Sequence, residues 1–361
     1  MPTPLQATPP AAPSPKRTRG VVVEGAIRVG PLMAWPQVLD ELGAQTDALL
    51  AAEGWQRADF EDPESVIRIH DVGRMLRRGM ETTGCDHLGV LIGRRLSLSS
   101  LGALGFLMQS SPTVAEALQA LGRHLHVHDR AAVVTLEAAG ASCRLAYLIT
   151  VADVDMLDQI YGVAALAGVH IMQALCGPGW RAQEVCLPFK PPRNAAPLRQ
   201  ALGAPLRFGA QRMELQFPAT DLARPLAMAD ALLHRMMSER IAELETMAPR
   251  SLADEVRQLL RTLVFSAACT PRIVGLRLGV SVRTLNRRLA EQSTSVGALR
   301  DEVRRDTACQ LLAQGGKAAG EVGRLLGYSE PAAFTRAFRR WTGLGPAQWR
   351  AQQPVPRRAR P

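Results

Sequence analysis

Arg283, Asn286 and Arg287 stand at i, i+3 and i+4 in the segment GVSVRTLNRRLA (279–290), so on a helix they share one face. Two guanidinium groups and a carboxamide make a set suited to base edges. Arg can bond O6 and N7 of guanine together, and Asn can do the same with N6 and N7 of adenine. On the other side Val282, Leu285 and Leu289 recur at helical spacing, and Ser281 occupies the N-cap position. The segment predicts a short amphipathic helix whose polar face is made for contact.

A second copy of the unit follows. Val274, Gly275, Leu278, Gly279 and Ser281 correspond to Val322, Gly323, Leu326, Gly327 and Ser329 at an offset of 48. Past one inserted residue, Leu285, Arg287 and Leu289 correspond to Phe334, Arg336 and Phe338 at an offset of 49. Each copy reads as a short helix, an L-G-x-S turn and a second helix, which is helix-turn-helix architecture. The groove-facing set of the second copy is Ala332, Thr335 and Arg336, with less hydrogen-bonding capacity and so weaker base readout. Pro331 falls in the first turn of that helix, where a missing N–H matters little. Ser281, Arg288, Ser329, Arg339 and Arg340 lie off the base-facing line and are the candidates for phosphate, a contact that positions without specifying.

The charge supports a polyanion partner. Residues 251–361 hold 19 Lys and Arg against 8 Asp and Glu; the preceding 250 hold 24 against 25, out of chain totals of 43 and 33. A basic module beside a neutral one points to double-stranded DNA for the first and another task for the second.

The elements that position this face emerge from period and punctuation. Residues 1–20 read as a disordered tail with no apolar signal segment, and 21 to about 128 as mainly helical. In MQSSPTVAEALQALGRHL, Ser111 is the expected N-cap, Pro112 the first helical residue, and Val114, Leu118 and Leu121 the apolar stripe. VVTLEA and CRLAYLIT around AGAS predict a β-hairpin. A long apolar helix over 155–175, a strand at EVCLPF, a helix at APLRQALG and a strand at MELQFP complete an α+β unit. The run IYGVAALAGVHIMQAL (160–175) is shorter than the ~20 residues a bilayer needs, so it reads as a core helix with no membrane role. Residues 225–246 form another helix, with Leu233, Met237 and Leu244 as a stripe suited to homodimerisation, and 247–252 read as a linker. The expected architecture is an α+β sensor domain over 21–246, an all-α domain with two helix-turn-helix units over 253–350 and a basic tail over 351–361.

At this point the chain resembles a family. SVRTLNRRLAEQ, followed by EVGRLLGYSEPAAFTRAFRRWTGLGPAQWR, is similar to the paired helix-turn-helix domain of AraC-type transcription regulators. Upstream, DPESVIRIHDVGRML, SLGALGFLMQSSPTVAEAL and APLRFGAQRMELQFP resemble the effector domain of the branch that includes regulators of arginine and ornithine catabolism. The resemblance implies a regulator that lays two recognition helices into successive major grooves, answers to a small-metabolite effector such as an amino acid, and works with RNA polymerase. Gly275 and Gly323 depart from it, standing where the family usually has Ala. Each carries ~1 kcal/mol of lost helix propensity unless it permits closer packing.

Other chemistry finds less support. His124, His126 and His128 invite a metal reading, but no Cys and only Asp129 accompany them, so solvated or helix-capping histidines are expected. His170 and Tyr161 on the apolar helix are weighed as effector contacts and set aside as core residues. The six cysteines are scattered without C-x-x-C, which fits a reduced, cytoplasmic protein. An enzyme fused to this DNA reader would need the zinc-cysteine cluster and nucleophilic cysteine of a repair alkyltransferase, or the nucleophile elbow of a glutaminase-like fold. Neither is found, so no catalytic residue, metal or cofactor is assigned. An architectural DNA binder leaves the upstream 200 residues without a purpose.

Overall fold

A computed structural model describes residues 22–247, 251–265, 269–313 and 317–352. The predicted N-terminal tail and all but the first two residues of the basic tail lie outside the described residues.

The N-terminal half begins with β1 (Ala26–Arg28), α1 (Trp35–Glu41), α2 (Thr46–Ala52), β2 (Val66–Arg68), α3 (Ile69–Thr83), α4 (Leu88–Gly93), α5 (Ala103–Gln109) and α6 (Val114–His124). It continues through β3 (Ala132–Ala139), β4 (Ser142–Ile149), α7 (Leu157–Cys176), β5 (Glu184–Leu187), α8 (Ala196–Leu202), β6 (Leu206–Phe208), β7 (Met213–Pro218) and α9 (Ala231–Met247). The five-stranded sheet has the order β3-β4-β7-β5-β6 and is antiparallel except for the β5–β6 pair. β1 and β2 pair separately.

The hairpin forms as expected. A two-residue turn, Gly140–Ala141, joins β3 to β4, and Gly140 takes φ +63°, a conformation only glycine adopts easily. Cross-strand pairs then alternate by face: Val133 opposes Leu148, and Val134 opposes Tyr147. α7 packs against this sheet and α4, with Ile160, Leu166, Val169 and Met172 buried. It runs 20 residues, so length does not exclude a bilayer span; 67% burial of its apolar window makes it a core helix.

The C-terminal half is all helix: α10 (Leu252–Leu263), α11 (Pro271–Arg277), α12 (Val282–Glu291), α13 (Val296–Ala313), α14 (Ala319–Leu325), α15 (Pro331–Thr342) and α16 (Pro346–Gln352). Val256, Leu260, Val274, Leu285, Leu289, Val322, Phe334 and Phe338 form its core, and Val133 and Leu148 of the hairpin join them. The sheet is therefore shared between two cores. Polar ties reinforce the seam. Gln310 Nε2 donates to the Val151 carbonyl at 2.6 Å, Lys317 Nζ donates to the carbonyls of Gly209 and Ala210 at 3.1 and 2.9 Å, and Arg261 meets Glu24 at 2.5 Å.

Several expectations need correction. Ser111 does not cap α6, because its hydroxyl donates back to Leu107 O at 2.9 Å at the end of α5. Thr113 is the cap and accepts from Glu116 N at 3.3 Å. The stripe on α9 faces inward, with Leu244 buried and Leu233 and Met237 half-buried, while Leu232, Met236 and Met247 are exposed. Of the expected linker 247–252, residues 248–250 lie outside the described residues; α9 ends at Met247 and α10 starts at Leu252, capped by Ser251.

Candidate nucleic-acid interface and sensor cavity

α12 is set by its cap and its stripe. Ser281 Oγ accepts from Thr284 N at 3.1 Å, and Leu285 and Leu289 are fully buried, each stabilising by about 1.5–3 kcal/mol. Val282, expected in that stripe, is exposed in the first turn. Arg283, Asn286, Arg287 and Arg288 all face solvent. Among the described residues Arg283, Asn286 and Arg288 have no side-chain partner. Arg287 pairs with Glu291 at 2.6 Å, an exposed i,i+4 contact that a stronger ligand can displace.

The second unit repeats the frame with one shift. Val280 N donates to Gly275 O at 2.9 Å and Tyr328 N to Gly323 O at 3.0 Å, so the same turn is built twice. Gly279 and Gly327 take φ +66° and +82°, which is why glycine stands at both turns. The departures at Gly275 and Gly323 have a packing cause. A Cβ on Gly275 would lie 2.7 Å from Val280 O, and one on Gly323 would lie 2.8 Å from Phe334 Cβ. The inserted residue moves the cap of α15 to Glu330, so Ser329 precedes the cap instead of matching Ser281. Pro331 is in the first turn as expected. Ala332 and Arg336 are exposed, whereas Thr335 is half-buried and donates its hydroxyl to Pro331 O at 3.0 Å. Arg339 is exposed, and Arg340 pairs with Asp301 at 2.9 Å.

The sensor half contains a cavity of about 110 Å³ between α3, α7 and the β3–β4 face of the sheet. Ile160, Val163, Ala164, Ala167, Gly168 and Ile171 give α7 a continuous lining stripe. His170 and Tyr161 are not part of it. The polar groups at its wall are His128, Asp129 and Tyr147. Tyr147 donates to Asp129 Oδ2 at 2.8 Å and the Ala131 amide to Oδ1 at 2.7 Å. Burial pushes the Asp129 carboxyl up to about 6 against the pull of these bonds, and burial with the nearby Arg28 charge lowers the His128 imidazole to about 3.

The histidine cluster thus divides. His124 Nδ1 and His126 Nε2 each lie 3.0 Å from Glu245 Oε1 on α9, and the His124 and His126 hydrogen bonds hold that carboxylate well below its usual range. Solvated or helix-capping histidines are expected at these positions, but His126 and His128 are buried. Among the described residues no group of three or more metal-ligating side chains comes together.

A chambered α+β domain ahead of two helix-turn-helix units, the second helix of each carrying exposed arginine, defines a DNA-binding transcription regulator with a ligand-binding half. The chain belongs to the AraC family. The arabinose-binding N-terminal domain of AraC transcription regulators matches residues 43–226, and a helix-turn-helix domain matches residues 276–352. The chain is similar to the transcriptional regulator VirS of Mycobacterium tuberculosis, 27% identical over 327 residues, which covers 90% of this chain and 96% of that protein. It is also similar to the ornithine utilization regulator of Pseudomonas aeruginosa, 25% identical over 320 residues, covering 86% and 92%. A crystal structure of the regulator CdpR from Pseudomonas aeruginosa aligns over 88% of this chain and 98% of that one, with 22% identity and a TM-score of 0.41. These domains and relatives are regulators, not enzymes.

Proposed function

We propose that this regulator reads a specific operator with α12 and α15 in successive major grooves and couples that reading to a small effector held in the sensor cavity. The carrying observation is the exposed trio Arg283, Asn286 and Arg287 on a helix whose opposite face is locked by Leu285 and Leu289. Their side chains match guanine and adenine edges, so α12 supplies most base readout. α15 offers chiefly Arg336, because the Thr335 hydroxyl is engaged with its own helix. Arg288 and Arg339, without a partner among the described residues, are the stronger phosphate candidates. Arg340 must leave Asp301 to serve, the Ser281 hydroxyl is occupied as a cap, and Ser329 is exposed beside the start of α15.

A second copy of the chain is the proposed partner of α9, where Leu232 and Met236 stand 58% and 51% exposed one turn apart. RNA polymerase is the machinery on which the bound regulator acts. The test is a footprint of the full chain on genomic fragments. The reading requires protection across two adjacent major grooves, about 10 base pairs apart. It requires loss of one half with Arg283→Ala/Asn286→Ala and of the other with Arg336→Ala. Protection of a single groove, or binding indifferent to sequence, would refute it.

A further inference from the structure

The cavity wall defines what it can hold. Val72 and Leu76 of α3, Val163 and Ile171 of α7, Leu145 of β4 and Met213 of β7 surround it with hydrocarbon. No Lys or Arg among the described residues lines it. Arg28, whose charge acts on His128, is already committed: Nε donates to Val127 O at 2.8 Å, Nη1 to Glu64 O at 3.1 Å, and the guanidinium pairs with the Glu64 carboxylate. An anionic ligand would therefore meet Asp129 without a balancing cation.

One polar feature is unused. His128 is 2% exposed and lines the cavity; both ring nitrogens are buried, and among the described residues neither has a hydrogen-bond partner. A buried imidazole left in that state forfeits hydrogen-bonding energy that a ligand group can recover. A neutral imidazole offers one donor and one acceptor, the complement of a hydroxyl. Asp129 is already bonded to Tyr147 and Ala131, so the site satisfies about one polar group and no more. Sugars and free amino acids, which bring several, would leave most of them unpaired. At about 110 Å³ the cavity is smaller than the ~150 Å³ apolar cavity that accepts benzene, so it suits a single ring at most.

We propose that this cavity binds a small uncharged molecule, a hydrocarbon ring about the size of benzene bearing a single hydroxyl, with the hydroxyl seated on the imidazole of His128. The inference rests on the N-terminal domain being the effector-binding half. It assigns that half an apolar effector in place of the amino acid the family resemblance favoured.

The test is calorimetry on the full chain without DNA, using p-cresol, toluene, benzoate and L-ornithine as probes. p-Cresol is expected to bind one per chain, about tenfold tighter than toluene, the worth of one buried hydrogen bond. Benzoate and L-ornithine are expected to give no binding. His128→Leu should bring p-cresol to the affinity of toluene and leave toluene unchanged. Ala167→Phe, which fills the cavity from α7, should abolish binding of both rings. Thermal melts identify any variant that has lost its fold, and the four-probe ranking on the unaltered chain stands without them. Tighter binding of benzoate or L-ornithine than of p-cresol, no p-cresol binding, or an unchanged p-cresol to toluene ratio in folded His128→Leu would each overturn the proposal. Because no DNA is present, failure here leaves the operator footprint untouched. A failed footprint likewise leaves the probe ranking standing.

Discussion

Val133 and Val134 are adjacent in β3 yet belong to different cores: Val134 lines the sensor cavity, while Val133, opposite Leu148, packs in the core that holds Val256 and Leu260 of α10. Strand alternation makes this unavoidable, since successive side chains point to opposite faces. One hairpin therefore touches the sensor cavity on one side and the DNA-binding domain on the other.

Coupling between the two sites should pass through that hairpin. Val133→Ala should leave the affinity for operator and for cavity ligand each within a few fold. It should shrink the ligand-induced change in operator affinity, for which ~1–3 kcal/mol is typical of linked sites. Paired titrations with and without ligand measure it, and the effect must be equal in both directions. An undiminished ligand effect would place the route elsewhere.

Two neighbouring arginines of α12 should behave differently. Arg287→Ala should lose ~1–3 kcal/mol at the cognate site and relax preference at one base pair, with little change on scrambled DNA. Arg288, about 100° further around the helix, should on replacement by Ala weaken all duplexes alike and lower the salt slope by about one. Salt titrations on cognate and scrambled duplexes separate the two. Equal weakening by Arg287→Ala would remove it from the base-reading face.

Gly323→Ala gains up to ~1 kcal/mol in helix propensity but sets a methyl 2.8 Å from Phe334 Cβ, at the joint between α14 and α15. Overpacking of that kind typically costs 1–3 kcal/mol, so a net loss is expected. Urea melts of the full chain check the sign, and a stabilised variant would show that the two helices can move apart freely.

The pH response of the His128–Asp129 pair follows from opposite shifts. His128, lowered to about 3, makes stability fall as pH drops from its unfolded value of ~6.5, because the unfolded chain takes up the proton first. Asp129, raised to about 6, makes stability fall as pH rises from ~3.9, because the folded chain holds its proton longer. Between about pH 4 and 6 the two slopes cancel. His128→Gln should therefore lose stability relative to the unaltered chain as pH rises across that window, and Asp129→Asn as pH falls. Differences between denaturation curves of variant and parent report this, and parallel curves would contradict it.

α9 has an inner and an outer apolar face. Leu232→Glu/Met236→Glu should convert a dimer to a monomer in sedimentation while leaving the melting temperature nearly unchanged, since both side chains are exposed. Leu244→Glu, at a buried position, should instead destabilise the sensor by several kcal/mol. A parent chain that sediments as a monomer at micromolar concentration would eliminate the dimer.

Reading the sequence recovered what repeats and what is local. Leu285, Leu289 and the glycine turns follow from period and backbone chemistry within a dozen residues, and the β3–β4 hairpin from alternation around Gly140. The three-residue strands β1, β2 and β6 were missed, being too short to show a period. Ser111 misled because Thr113, two residues later, has equal capping chemistry and a Glu116 to complete it. The cavity was invisible for a different reason: its lining runs from Ile27 to Met213 and consists of residues that any core would use. His124 and His126 read as solvated because their partner, Glu245, is more than a hundred positions away. A signal for His128 existed only in hindsight, since being buried without a partner is a property of the fold.

The shared hairpin changes what counts as a module. By sequence the joint between the halves is the short stretch before Ser251, and a chimera cut there would look clean. The working joint is a surface made of Val133, Leu148, the Val151 carbonyl and the Gly209 and Ala210 carbonyls, which receives α10, Gln310 and Lys317. A DNA-binding half grafted onto a foreign sensor would lose that seat even with both parts folded. Exchange of such halves between regulators, in evolution or in the laboratory, requires the sheet face to travel with its reader.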